Sequence, residues 1–94
     1  MFTLHIEHPI TDYPTWRAAF DGFAEVRRAH GVRGERVARP LGDPNAIVVD
    51  LDFDTVEGAA DFLTFLETVV WASPDTAPAL AGRPRTVIVE PVPG

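Results

Sequence analysis

The sequence has no cysteine, no lysine, a single serine (Ser73), one methionine and only three histidines, His5, His8 and His30. Without cysteine there can be no disulfide, thiol nucleophile or thiolate metal site. No Gly-x-Ser-x-Gly elbow, no glycine-rich phosphate cradle after a strand and no His-Glu-x-x-His pair occurs, so the best-known serine-hydrolase, nucleotide-binding and zinc-protease chemistries are excluded. With lysine missing, eight arginines face fourteen acids and the formal net charge is −6. Phosphate neutralisation supplies most nucleic-acid affinity and needs a basic face. Nucleic acid and anionic membrane are therefore not expected partners. No apolar run approaches the roughly 18 residues that a membrane span requires. The start MFTLHIEHP shows no basic segment followed by a long apolar stretch, so the expected location is the cytoplasm.

What is present is a short, apolar-rich chain. Ninety-four residues, 46% of them hydrophobic, give room for one domain spanning 1–94 and no second core. A chain of this size buries only about 60–65% of its unfolded surface, so its apolar surplus points to sharing with a second copy.

The pattern along the chain reads as βαββαβ. Phe2, Leu4 and Ile6 alternate with Thr3, His5 and Glu7 before Pro9, as a half-buried strand requires. Asp12 is an N-cap candidate, Pro14 fits a first helical turn and Gly31 is a stop. Between them Tyr13, Trp16, Ala19, Phe20, Phe23 and Val26 form one apolar stripe, which predicts a continuous helix. Residues 32–39 and 46–53 read as two strands joined by the turn-rich RPLGDPN. Asp54 or Thr55, with Glu57, caps a second amphipathic helix ending near Ser73-Pro74. Its apolar sector is wider than one sheet face needs. Residues 73–84 form a Pro/Gly/Ala loop, a lid candidate, before a last strand at 85–90. Short connections and right-handed crossovers favour one α+β solution, an antiparallel sheet in spatial order 4-1-3-2 with both helices on one face, the ferredoxin-like arrangement.

The first strand with its aromatic-rich helix (YPTWRAAFD), then RVARPLGDPNAIVVDLDFDTVEGAADFL, a tryptophan and a closing VIVE resembles the dimeric α+β barrel superfamily. Within it, the resemblance is to small actinobacterial proteins related to the antibiotic-biosynthesis-monooxygenase group, and it covers nearly all of the chain. It implies a homodimer whose two sheets pack face to face, with a ligand pocket between each sheet and its helices. It also implies a small aromatic or polyketide-like ligand and cofactor-independent oxidation or isomerisation. A haem-degrading relative would carry an iron-ligand histidine on or after the second helix; none follows Glu57 here, so no cofactor is expected.

His5 and His8, three apart on a strand, fall on opposite faces and cannot chelate one metal; no metal is expected. His5 shares its face with Glu7 and, if the first and third strands are neighbours, with Asp50 and Asp52. It is the candidate proton acceptor, poised by carboxylates; the structural alternative is a polar network neutralised by Arg36, or by Arg33 and Arg39. Carboxylates on that face also argue against burying it in a dimer unless each is paired, so a monomer with an open sheet is the competing assembly. Tyr13, Trp16 and Phe20 are candidate walls of an aromatic cradle or simply core. Arg27 is a candidate ligand for a carboxylate or enolate oxygen; alternatively its stem covers apolar surface while the guanidinium reaches helix C-terminal carbonyls. Trp71, off the main stripe, is a candidate pocket mouth or subunit contact. The rival to an enzyme is a non-catalytic structural or protein-interaction domain.

Overall fold

Strand alternation decides which side chains meet, and it is kept along the whole of β1, Phe2–Pro9. Leu4, Ile6 and His8 are buried on one face; Thr3, His5 and Glu7 are partly exposed on the other. In the computed structural model, which describes all 94 residues, the chain continues as α1 (Tyr13–Gly22), α2 (Ala24–Ala29), β2 (Gly34–Ala38), β3 (Ala46–Phe53), α3 (Val56–Phe65), a π-type turn at Leu66–Val70, and β4 (Arg85–Val89). The strands form one sheet in the order β2-β3-β1-β4 with every neighbouring pair antiparallel. This is the ferredoxin-like arrangement and the strand order expected from the sequence.

The core lies between the sheet and the helices. Leu4 and Ile6 of β1 and Ile47, Val49, Leu51 and Phe53 of β3 meet Trp16 of α1, Ala59 and Phe62 of α3, and Leu66 and Val70 of the π turn. Each large side chain sealed here contributes about 1.5–3 kcal/mol by leaving water. Asp12 caps α1 by accepting from the Thr15 N–H at 2.9 Å, and Thr55, the second of the two candidates, caps α3 by accepting from the Gly58 N–H at 3.0 Å. Asp54 instead pairs with Arg33 at 2.9 Å. Gly31 ends α2 and Gly42 turns the β2–β3 connection with positive φ values of 90° and 82°, a backbone region costly for any residue with a Cβ.

Three elements differ from the sequence reading. The first helix is not continuous: it breaks at Phe23, directly after the weak helix former Gly22. The Phe20 carbonyl at the break is satisfied by the Phe23 N–H and by the Arg27 guanidinium. The second helix does not stay α-helical to its end. The Trp71 N–H bonds five residues back to Leu66 O at 2.7 Å, and this wider turn carries Val70 and Trp71 towards the first helix and the sheet. Finally, the 73–84 segment is anchored. Thr76 Oγ1 lies 2.6 Å from Val70 O, Thr11 N–H donates to Ala79 O, Ala81 N–H donates to Pro9 O, and Ala79 is buried.

Candidate functional site

The helix break, the π turn and the anchored segment together bound a cavity of about 90 Å³ above the sheet. Its floor is Ile6, His8, Val49 and Leu51; its sides are Trp16, Phe20 and Phe23 opposite Phe62, Phe65 and Leu66; Trp71 and Ala77–Leu80 close it. Sixteen of its 20 lining residues are hydrophobic, so a fitting molecule is mostly apolar. A second, shallower depression shares Ala19, Phe23, Thr76 and Pro78 with it, which places the mouth between α1 and the 75–78 segment.

Arg27, Thr76 and His8 bring polar side chains to this lining, and two of them are already committed. Arg27 is only 5% exposed. It donates through Nε to Glu35 Oε2 at 2.6 Å, through a terminal nitrogen to Glu35 Oε1 at 3.3 Å and through the other to Phe20 O, with its guanidinium carbon 3.6 Å from the Phe20 ring centroid. Thr76 spends its hydroxyl proton on the end of the π turn. His8, 7% exposed, lies between two indoles, with ring centroids 6.5 Å from Trp16 and 6.3 Å from Trp71. Its Nδ1 bonds Pro9 O at 3.1 Å, and burial pushes its pKa below the ordinary 6.5 despite that bond.

The opposite face of the sheet carries a different chemistry. His5 Nε2 is 2.9 Å from Glu7 Oε2 and His5 Nδ1 is 2.7 Å from Asp50 Oδ1. Both carboxylates accept, so the doubly protonated imidazolium is the form that satisfies the pair; the bonds to Glu7 and then Asp50 raise the His5 pKa above 6.5. Asp52 accepts from Thr3 at 2.8 Å and from both terminal nitrogens of Arg36 at 2.8 and 3.1 Å, which holds it below the usual carboxylate range. Arg85 stands in register with Glu7. No group of three or more His, Asp or Glu side chains is placed to hold a metal ion.

No protein-family model matches the chain, and no curated protein matches it. Solved structures do. A protein assigned as an antibiotic biosynthesis monooxygenase from Nitrosomonas europaea is 18% identical, superimposes over 98% of this chain and 99% of its own, and has a TM-score of 0.69. A dimeric ferredoxin-like protein from an uncultured marine organism is 11% identical over 94% of this chain and 92% of its own, with a TM-score of 0.62. A monooxygenase of Streptomyces coelicolor, solved with nanaomycin D, is 16% identical over 99% and 88%, with a TM-score of 0.64. This chain has their ferredoxin-like fold. The resemblance read in its sequence is borne out at that level, and no helix is long and apolar enough to cross a membrane.

Within this ferredoxin-like fold the sequence-derived candidates separate. Trp16, Phe20, Arg27 and Trp71 all line the cavity. Tyr13 does not; it packs outside Trp16 at 6.0 Å between centroids, under the Arg39 guanidinium at 5.0 Å. His5 lies across the sheet, so it cannot exchange a proton with a molecule held among those aromatics. The arrangement in which His5 serves a site walled by Trp16 and Phe20 is therefore corrected: one layer of backbone stands between them. Three of the five Arg27 N–H groups are taken, two by Glu35 and one by the Phe20 carbonyl, so its charge is already paired inside the protein. His8 lines the cavity and is not among the sequence-derived candidates. The alternation that put His5 with Glu7 also put His8 with Leu4 and Ile6, and that was the available signal.

The two imidazoles give pH dependences of opposite sign. His5, with its folded pKa raised, contributes stability that is complete below 6.5 and is lost as pH rises through its folded value. His8, with its folded pKa depressed, contributes stability present above 6.5 and lost as pH falls through its folded value. Proton NMR titration is expected to place one C–H midpoint above 6.5 and the other below it. Two midpoints on the same side would contradict these environments.

Proposed function

We propose that this chain is the subunit of a homodimer that takes a small aromatic or polyketide-like molecule into the cavity between sheet and helices, and oxidises or isomerises it without a resident cofactor. The observation that carries the reading is the cavity itself, walled by Trp16, Phe20, Phe23, Phe62, Phe65 and Trp71 with one uncommitted polar side chain on its floor. The fold shared with monooxygenases, one of them solved with nanaomycin D, supports it. Proton transfer in this reading does not pass through His5. A cytoplasmic setting is part of the proposal.

The homodimer is supported by the uncovered face. Val87 and Val89 are 53% and 48% exposed, and the register sets Val48 on the same side. The charges between them are bonded internally: Asp52 to Arg36, and Asp50 and Glu7 to the one His5 imidazolium, with Arg85 in register beside Glu7 as the second cation. A second copy can then cover the face without stranding a carboxylate. The competing reading, a non-catalytic interaction domain, draws on size, because a dry apolar cavity that binds benzene measures about 150 Å³ and this one about 90 Å³.

Light scattering at micromolar concentration is expected to give twice the 10.3 kDa chain mass. Titrating phenols and quinols against the emission of Trp16 and Trp71 is expected to give saturable quenching. A monomer would remove the assembly, and silence across the panel would favour the interaction domain.

A further inference from the structure

The tautomer of His8 follows from its partner. A backbone carbonyl only accepts, so the 3.1 Å contact with Pro9 O requires the proton on Nδ1. Burial disfavours the protonated ring. A neutral imidazole protonated at Nδ1 presents a bare lone pair at Nε2. That nitrogen has no protein hydrogen bond, yet no buried side-chain nitrogen or oxygen is left without a partner, so Nε2 meets open space. In a side chain 93% enclosed between Trp16 and Trp71, the open space is the cavity that His8 lines. An acceptor therefore faces an otherwise apolar chamber.

We propose that His8 is the specificity-determining residue of this cavity, and that its ligand is a neutral single-ring phenol or enol whose O–H donates to Nε2. This rests on reading the cavity as a ligand site. A donor is required because an acceptor-only group would leave Nε2 unpaired, and an unpaired buried polar group carries its full desolvation penalty. Neutrality follows from Arg27, whose positive charge is already countered by Glu35, so a ligand anion would find no unpaired cation in the lining. One ring is the limit because the chamber holds only about 90 Å³, and the remainder of the ligand must extend into the adjoining depression that shares Ala19, Phe23, Thr76 and Pro78. With the hydroxyl on the floor, the ring's far substituent points to the mouth beside Ala19, Phe23 and Pro78, so the fitting phenol is substituted para to its hydroxyl.

The test compares p-cresol with 4-fluorotoluene, a ring of similar size that has no O–H donor. Each is titrated into the intact protein with the indole signals of Trp16 and Trp71 and the His8 ring nitrogens followed by NMR. p-Cresol is expected to bind about 3- to 10-fold more tightly, the ratio that one net hydrogen bond supports. It should shift His8 Nε2, whereas 4-fluorotoluene should not. In His8→Leu the preference should disappear, and in His8→Gln, whose amide oxygen can accept, part of it should return. Equal binding of the two probes to the unaltered protein would overturn the role of His8 while leaving the cavity a ligand site. Binding of neither would overturn both. A proton found on Nε2 in the free protein would also overturn the assignment, and that readout does not depend on any variant folding.

Discussion

Trp16→Ala is expected to cost about 3–5 kcal/mol, the range for deleting a large aromatic from a core. The side chain is buried and stacks on Phe20 with centroids 4.8 Å apart and planes 21° apart; Phe20 in turn lies under the Arg27 guanidinium. Removing the indole therefore opens the cavity and unseats the ring that Arg27 covers. A small domain has about 5–15 kcal/mol in total, so the loss takes a large share of it. At roughly 4–8 °C per kcal/mol for a chain of this size, the Tm should fall by tens of degrees. Urea unfolding checks it: the midpoint should drop with the slope unchanged, since the same surface is exposed on unfolding. A change below about 1 kcal/mol, the scale of an ordinary surface substitution, would place the ring outside the core.

Glu35→Ala should be the second most damaging change, although Glu35 itself is substantially exposed. Its carboxylate is the only counter-charge bonded to a guanidinium that is almost wholly buried. Breaking a buried pair by removing one member costs about 3–5 kcal/mol. The exposure of Glu35 discounts that to about 2–3 kcal/mol. The double variant Arg27→Met, Glu35→Ala should be more stable than Glu35→Ala alone, because no charge is then left stranded; its residual loss is one of the two bonds to the Phe20 carbonyl, which keeps the Phe23 N–H as a partner, at about 1 kcal/mol. A double-mutant cycle by denaturant unfolding measures the coupling, and additivity of the two changes would show the pair to be incidental.

Both side chains belong to the part of the molecule that one sequence reveals unevenly. Period-two alternation located β1 and β3, with β3 at residues 46–53 in both readings, and from it the sharing of one face by His5, Glu7, Asp50 and Asp52; the register that sets His5 against Asp50 and Thr3 against Asp52 is the structure's. Capping chemistry points to Asp12 and leaves Asp54 or Thr55 for the second cap, of which the structure takes Thr55; the Asp52 partner Arg36 is among the arginines the sequence offers. The helix break was not legible, because a single glycine inside an apolar stripe costs only about 1 kcal/mol and tertiary contacts decide whether the helix survives it. Here the contact is Arg27, which takes up the carbonyl at the break. The π turn has no local signature, so Trp71 read as off the stripe until the extra residue in the turn brought it to the cavity. The 73–84 segment looked unanchored because its ties to β1 are backbone bonds, which composition does not encode.

The two imidazoles on β1 have a consequence for folding fidelity. Sliding that strand by one residue along β3 would turn every side chain over. Glu7 and His5, with their charge, would be driven into the apolar layer, while Leu4, Ile6 and the aromatic-flanked His8 would be turned out to water. Misalignment is thus penalised on both sides of the sheet at once, and the strand that separates the two histidines also locks its own pairing.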